Sequence, residues 1–129
     1  MTRPILLDAS CLLTVIFEEA GADLVQPVLP ASFVTAVNLA ECIRVIDRLG
    51  GSGDAVADDL VALGLTVVPV GLAGIRRISE VWRSAPASHP LSLGDATCLA
   101  YGWAQEMDIW TADRMWADLA LPARVTVIR

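Results

Sequence analysis

The sequence predicts an α/β domain in which helices cover both faces of a parallel sheet. Three observations support this fold class. Short apolar segments alternate with longer segments whose apolar residues recur every three to four positions, the spacing of amphipathic helices. The short segments are continuously apolar, as expected for strands that are buried on both faces. The chain has 129 residues, the size of one ordinary domain, so we expect residues 1–129 to form a single domain.

Each predicted element follows from a local pattern. Ser10 lies near the expected start of the first helix, where small hydroxyl residues often act as caps. Gly50 and Gly51 are expected to end the longest amphipathic segment. In chain order we expect a strand at 4–7 ("PILL"), helices at 10–19 and 22–29, a strand at 32–35 ("SFVT"), helices at 36–49 and 54–64, a strand at 65–70 ("LTVVPV"), helices at 71–85 and 92–107, a strand at 108–112 ("DIWTA"), a short helix at 114–119 and a strand at 124–129.

Composition removes several classes of function. All nine basic residues are Arg, so the chain has neither the lysine of a P-loop nor a Schiff-base lysine. His89, beside Pro90 in a predicted loop, is the only histidine, and the three cysteines form no C-x-x-C pair, which argues against zinc. We expect reduced, buried thiols in a soluble cytoplasmic protein with no membrane partner. The longest uncharged runs, residues 24–40 and 60–75, are interrupted by Pro or Gly and fall short of the roughly 20 residues of a membrane span.

Four acidic residues stand in apolar surroundings. Asp8 and Asp113 directly follow predicted strands, and ligand sites of parallel sheets form beyond the carboxyl ends of strands. Glu41 and Asp95 lie in strongly apolar helices. Each acid also has a structural interpretation, because Asn38-x-x-Glu41 and Ser92-x-x-Asp95 resemble capping boxes and Asp113 could cap the next helix.

If the four acids lie close together, the repulsion between their charges determines what the site has to bind. Two carboxylates about 5 Å apart repel by roughly 3 kcal/mol at an effective dielectric near 20. Helix N-termini offset only about 1 kcal/mol each, so clustered acids must bind protons or a cation. Oxygen ligands without His or Cys favour Mg²⁺ or Mn²⁺, and such ions promote attack of water on a phosphodiester. The net charge of −6 argues mildly against a nucleic-acid binder, although a local basic strip can still hold phosphates.

The segments "LLDASCLL", "NLAECI", "LSLGDATCLA" and "WTADRMW" resemble the four acid-bearing motifs of PIN-domain ribonucleases, specifically the VapC-type toxins of toxin–antitoxin pairs. The resemblance covers essentially the whole chain, in order and spacing. It implies that Asp8, Glu41, Asp95 and Asp113 are catalytic residues that bind one or two Mg²⁺ or Mn²⁺ ions and drive RNA cleavage. Ser10 and Thr111 match hydroxyl positions that support the first and last acids. Ala96 departs from the pattern, because many relatives carry Arg there.

The same resemblance implies a small three-layer α/β/α PIN-like domain with a central parallel sheet. It also implies an RNA substrate, a homodimer and a VapB-type antitoxin that covers the active groove. Arg114, directly after Asp113, is a possible RNA contact, with an ordinary solvated residue as the equal alternative. Arg76, Arg77 and Arg83 on one predicted helix have the same two interpretations.

Other functions fit the residues less well. A receiver domain needs an acid pair and a late lysine, and a haloacid-dehalogenase-type phosphatase needs D-x-D, whereas this chain has Asp8-Ala9-Ser10. Two alternatives stay open. One is a PIN-fold RNA-processing nuclease outside a toxin system. The other is a non-catalytic interaction module in which the acids are helix caps.

Overall fold

The computed structural model describes residues 2–129, and within them the chain alternates between strands and helices as the sequence predicts. Three short 3₁₀ turns, at Leu29–Ala31, Leu72–Ile75 and Arg114–Asp118, join some of these elements. In chain order the strands and α-helices are β1 (Ile5–Leu7), α1 (Ala9–Ile16), α2 (Ala22–Val25), β2 (Phe33–Thr35), α3 (Ala36–Arg48), α4 (Gly53–Ala62), β3 (Thr66–Val68), α5 (Ile78–Ser84), α6 (Leu93–Ala104), β4 (Asp108–Thr111) and β5 (Arg124–Val127).

The five strands form one parallel sheet in the order β3-β2-β1-β4-β5. Leu6 of β1 pairs with Phe33 of β2 on one side and with Ile109 of β4 on the other. The chain moves from β1 outward to β2 and β3, and from β4 outward in the opposite direction to β5. The topological switch point therefore lies between β1 and β4, where parallel sheets of this kind form ligand sites.

Two hydrophobic cores lie on opposite faces of the sheet, which confirms the three-layer α/β/α arrangement. Successive residues of a strand point to opposite faces. Leu7 accordingly packs with Cys11 of α1 and Cys42 of α3, whereas Leu6 packs with Leu99 of α6 and Trp116. The two adjacent leucines of β1, both fully buried, thus anchor both layers of helices.

Helix α3 begins at a cap that the sequence interpretation placed elsewhere. Thr35, the last residue of β2, is the N-cap, and its hydroxyl oxygen accepts a hydrogen bond from the Asn38 N–H at 3.1 Å. The expected capping box between Asn38 and Glu41 is therefore wrong, because Asn38 already lies inside the first turn. The Ser92–Asp95 capping box of α6 is confirmed, with both reciprocal hydrogen bonds present.

Three predicted helices are shorter than expected. Helix α1 begins at Ala9, with Asp8 rather than Ser10 as its N-cap residue, and ends at Ile16. Helix α2 ends at Val25, two residues before Pro27, which has no N–H for a further helical hydrogen bond. The helix expected over residues 71–85 is broken at Arg77, whose φ of 69° is left-handed, so that α5 starts only at Ile78.

No helix within residues 2–129 has the length and apolar character needed to cross a bilayer.

Candidate active site

Asp8 lies at the switch point, directly after β1. Its N–H donates to the Trp110 carbonyl at 2.9 Å, which extends the pairing of β1 with β4 by one residue. Its side chain is buried, with 4% of the residue surface exposed. One carboxylate oxygen accepts hydrogen bonds from the Ser10 hydroxyl at 2.7 Å and from the Thr111 hydroxyl at 3.1 Å. Asp8 therefore has a fixed orientation at the carboxyl edge of the sheet.

Ser10 and Thr111 tie this carboxylate to the loop after β4. The Ser10 oxygen accepts a hydrogen bond from the Ala112 N–H at 2.9 Å, and the Thr111 oxygen accepts one from the Asp113 N–H at 3.1 Å. Each hydroxyl thus donates to Asp8 and accepts from the backbone beyond β4. These contacts give both side chains the geometry expected of residues that support the first and last acids.

Asn38 is the central polar residue of the site, whereas the sequence interpretation named it only as a possible helix cap. The side chain is fully buried, and its carbonyl oxygen accepts a hydrogen bond from the Thr35 hydroxyl at 2.7 Å. Its Nδ2 lies 3.3 Å from Glu41 Oε1, 3.2 Å from the Gly94 carbonyl oxygen and 3.5 Å from Asp8 Oδ1. An amide has two N–H donors for these three acceptors. Its spacing of three residues from Glu41 on an amphipathic helix was the available signal.

The carboxyl groups of Asp8 and Glu41 share a perturbed electrostatic environment. Burial raises the pKa of Asp8 to about 6, with a further contribution from the charge of Asp95, although hydrogen bonds from Ser10 and Thr111 oppose the rise. Partial burial raises the pKa of Glu41 to about 6, and the charges of Asp8 and Asp95 add to it. The structure thus brings three of the four predicted acids close enough to influence one another.

Asp95 combines this electrostatic role with a structural one. It lies in the first turn of α6 and is half-buried. Its carboxylate accepts a hydrogen bond from the Ser92 N–H at 3.2 Å. Asp95 can therefore cap helix α6 and also belong to the group of neighbouring acids.

Asp113 makes contacts outside this group of three acids. It is the N-cap of the turn at Arg114–Asp118, and its Oδ1 accepts a hydrogen bond from the Met115 N–H at 3.0 Å. Its Oδ2 lies 2.9 Å from Nε2 of His89. His89 is part-exposed, as expected for its loop, but its partner 24 residues away was not foreseen.

The Arg114 side chain contacts the last residue of the described chain. Its Nε donates to the Arg129 carbonyl at 3.0 Å, and the residue is exposed. Contact with RNA stays a prediction for this residue.

The donor set and the packing around Glu41 fit a hard divalent cation. All four acids offer only oxygen ligands, which suit Mg²⁺ or Mn²⁺. Gly94 leaves room for the Glu41 carboxylate, since a Cβ at position 94 would overlap it. Over residues 2–129, however, no three Asp, Glu, His or Cys side chains already form a metal-binding group. Nδ2 of Asn38 lies between Asp8 and Glu41, and Asp95 and Asp113 each accept a hydrogen bond from a backbone N–H at the start of a helical turn.

The fold and the site together define a parallel α/β domain with a carboxylate centre at its topological switch point. A family model described as the PIN domain matches residues 5–121. The chain belongs to the PIN domain family, which confirms the family that the four motifs indicated. A search of curated protein sequences finds no match.

Solved structures of VapBC and VapC proteins share this fold. A chain of VapBC2 from Rickettsia felis, solved with a DNA fragment from its promoter, superposes with a TM-score of 0.74 at 8% identity, over 97% of this chain and 98% of that one. DNA-bound VapBC from Salmonella typhimurium superposes with a TM-score of 0.70 at 15% identity, over 100% of both chains. VapC20 of Mycobacterium tuberculosis, a sarcin-ricin loop cleaving toxin, superposes with a TM-score of 0.66 at 17% identity, over 88% of this chain and 92% of that one. At sequence identities this low, the similarity shows that the fold is shared and nothing more.

Proposed function

We propose that this protein is a Mg²⁺- or Mn²⁺-dependent endoribonuclease that hydrolyses RNA phosphodiester bonds and acts as the toxin of a toxin–antitoxin pair. The observation that carries the proposal is the placement of Asp8 and Glu41 on either side of Asn38, with Asp95 raising the pKa of both. Membership of the PIN domain family supports it. We assign catalytic and metal-binding roles to Asp8, Glu41, Asp95 and Asp113.

Charge explains why a cation belongs in this site. With pKa values near 6, Asp8 and Glu41 are mostly ionised at neutral pH, beside the further charge of Asp95. A bound cation offsets their repulsion, whereas the neutral amide of Asn38 offsets only part of it. Mg²⁺ or Mn²⁺ supplies Lewis-acid activation of water and of a phosphodiester.

Neighbouring side chains hold the carboxylates that we assign as metal ligands in position. Ser10 and Thr111 hold the Asp8 carboxylate in one orientation, and Asn38 holds Glu41 toward it. His89 contacts Oδ2 of Asp113, the carboxylate oxygen that does not cap the turn. Such neighbours of metal ligands fix the direction in which the ligands point, and their loss typically weakens metal affinity 10–100-fold.

The toxin role requires an inhibitor, for which we propose a VapB-type antitoxin in the cytoplasm. VapBC assemblies are among the solved structures that share this fold. An Arg or Lys of the antitoxin would enter the carboxylate cluster and form charge-assisted hydrogen bonds there. Exposed apolar side chains such as Phe17 and Leu24, at 43% and 52% exposure, offer contact area beside α1 and α2. We also propose that the protein forms a homodimer.

Cleavage of RNA by the purified protein tests the enzymatic part. Wild type should cut RNA with Mg²⁺ or Mn²⁺ and stop in EDTA. Asp8→Asn should lose at least a hundredfold in rate, since it removes an anionic ligand of the metal. Asp58→Asn, on the exposed face of α4, is the matched control and should cut like wild type. Full cleavage in excess chelator would rule out the metal mechanism.

Growth of an expressing culture tests the toxin part. Expression of wild type alone should arrest growth, and coexpression of a small protein encoded beside it should relieve the arrest. Asp8→Ala should abolish the arrest at a matched protein level. If wild type and Asp8→Ala are equally harmless, the toxin role fails, and an RNA-processing nuclease of the same fold becomes the better proposal.

One observation favours a non-catalytic interaction module instead. Asp95 and Asp113 both accept hydrogen bonds from backbone N–H groups at the starts of helical turns. If that is their whole role, the protein should bind no divalent cation and cut no RNA. Mg²⁺ would then stabilise wild type no more than Asp95→Asn, and this comparison separates the two functions.

A further inference from the structure

A cavity of about 590 Å³ opens at the end of the sheet opposite to the carboxylates. Arg3 precedes β1 and Arg124 begins β5, and both line it. Because all the strands are parallel, this is the amino edge of the sheet. Arg76 and Arg77, from the turn before α5, complete the cationic lining. The candidate active site uses none of these four residues.

The arginines are held in place by their neighbours. The Arg77 guanidinium stacks over the Trp103 ring, 4.7 Å from its centroid. Arg124 Nε lies 2.9 Å from Asp108 Oδ1, and Arg3 donates to the Glu106 carbonyl at 3.4 Å. Arg77 has the left-handed φ of 69°, a conformation that costs a non-glycine residue of order 1 kcal/mol. Strain of this kind often marks a functional position.

A second cavity adjoins the first through Trp103 and Pro122 and adds Arg83 and Glu80. We call the combined feature the arginine groove: Arg3, Arg76, Arg77, Arg83 and Arg124 around Trp103. It holds five of the nine basic residues of a chain with net charge −6. Of the fifteen acidic residues, only Glu80, Glu106 and Asp108 lie at it, which makes it a local cationic surface on an acidic protein.

We propose that the arginine groove binds the phosphodiester backbone of single-stranded RNA, at a site separate from the site of cleavage. This inference rests on the proposed ribonuclease function. A planar guanidinium offers paired donors to phosphate oxygens, and several of them along one groove suit successive phosphates better than a single small anion. Trp103 and the stacked Arg77 add a flat surface on which an unpaired base can stack.

Helix α6 connects the two sites. Asp95 lies in its first turn and Trp103 in its last, eight residues apart. At 1.5 Å per residue this separation is about 12 Å along the helix axis. Residues 96–100 of α6 are buried, so an RNA strand that reaches both sites passes over the elements that cover this helix, and the groove would contribute to affinity for longer substrates.

Two pairs of variants test the proposal without requiring cleavage. Arg77→Gly removes the guanidinium at a left-handed position that glycine occupies without strain. Its control is Arg48→Ala, which removes one positive charge at the exposed end of α3. Arg76→Glu reverses a charge in the groove, with Arg48→Glu as its control. Binding of a fluorescently labelled 12-nucleotide RNA to the full chain is measured by anisotropy in EDTA, over a series of salt concentrations.

We expect Arg77→Gly to weaken RNA binding about tenfold, the effect of losing a hydrogen bond to a charged group. The slope of log K against log salt should become shallower by about 0.7 for each phosphate that the groove no longer neutralises. Arg76→Glu should weaken binding further, and the Arg48 variants should change binding much less.

Three results would overturn the proposal. The first is that groove variants and controls bind RNA alike. The second is that the groove variants lose binding of a polyglutamate peptide but keep that of RNA. The third is that inorganic phosphate competes as well as RNA at equal phosphate concentration, which would assign the groove to a small anion. The cleavage assay with metal is independent of all three, so failure of the ribonuclease proposal is recognised separately.

Discussion

Gly94 lies directly against the carboxylate of Glu41, so that a methyl group at position 94 would overlap a carboxylate oxygen. This contact joins the first turn of α6 to the middle of α3. It brings the charge of Asp95, the next residue, close enough to raise the pKa of Glu41. The close approach of two helices thus determines the electrostatics of the site.

Gly94→Ala should displace Glu41 and reduce RNA cleavage at least tenfold. Crowding of this kind costs about 1–3 kcal/mol of unfolding free energy, of which the better helix propensity of Ala returns at most about 1 kcal/mol. Gly71→Ala is the control, because a Cβ at position 71 meets no atom within 4 Å. Wild-type activity in Gly94→Ala would show that the position of Glu41 does not matter for cleavage.

Asn38→Ala should raise the pKa of Glu41 above its value of about 6, since the hydrogen bond from Asn38 lowers that pKa. It should also cost about 1–3 kcal/mol of stability by leaving buried polar partners unpaired. The pKa is measured by NMR titration of the Glu41 carboxyl carbon in EDTA. Ser52→Ala removes the N-cap of helix α4 and should leave the pKa of Glu41 unchanged, because Ser52 is not among the groups that shift it. An unaltered Glu41 pKa in Asn38→Ala would contradict the central role of Asn38.

The metal-free protein should lose stability as pH rises. The pKa of Asp8 is raised from 3.8 to about 6 in the folded protein, so between these values the folded state holds more protons than the unfolded state. The stability that the raised pKa of Asp8 contributes is fully present below about pH 4 and is lost as pH rises through 6. A shift of about two units corresponds to roughly 3 kcal/mol as an upper bound.

The Asp8→Asn variant should not show the loss of stability that Asp8 causes as pH rises. Urea denaturation in EDTA at pH 4.5 and 7.5 should show the stability of Asp8→Asn rising relative to wild type by about 1–3 kcal/mol at the higher pH. Asp58→Asn, at an exposed position, should follow wild type at both pH values. Parallel behaviour of Asp8→Asn and wild type would mean that Asp8 carries no raised pKa.

Mg²⁺ should stabilise the folded protein by mass action, by about 2.7 kcal/mol at a concentration one hundred times its Kd. Asp95→Asn should respond much less, because it has lost a charged oxygen ligand. Ser92→Ala weakens the capping box but keeps the carboxylate, so it should respond like wild type. Thermal scans with and without Mg²⁺ measure the effect. Equal responses of wild type and Asp95→Asn would mean that Asp95 is a cap alone.

Much of this protein is determined by its sequence. The five strands lie within the predicted segments, α3 and α6 lie within the predicted helices, and α4 begins one residue before its predicted start, because apolar periodicity and glycine signals act over a few residues. The capping box at Ser92 and Asp95 is similarly local. The placement of Asp8 near the end of β4 followed from one general rule, that parallel strands share a carboxyl edge.

Only the tertiary structure showed which groups meet at that edge. Asn38 contacts the Gly94 carbonyl 56 residues away, and His89 pairs with Asp113 across 24 residues. The arginine groove likewise gathers residues from both ends of the chain, from Arg3 to Arg124. Contacts of this kind depend on how closely two helices approach and on which way a loop turns. Those distances come from the packing of the whole core, so no short stretch of residues encodes them.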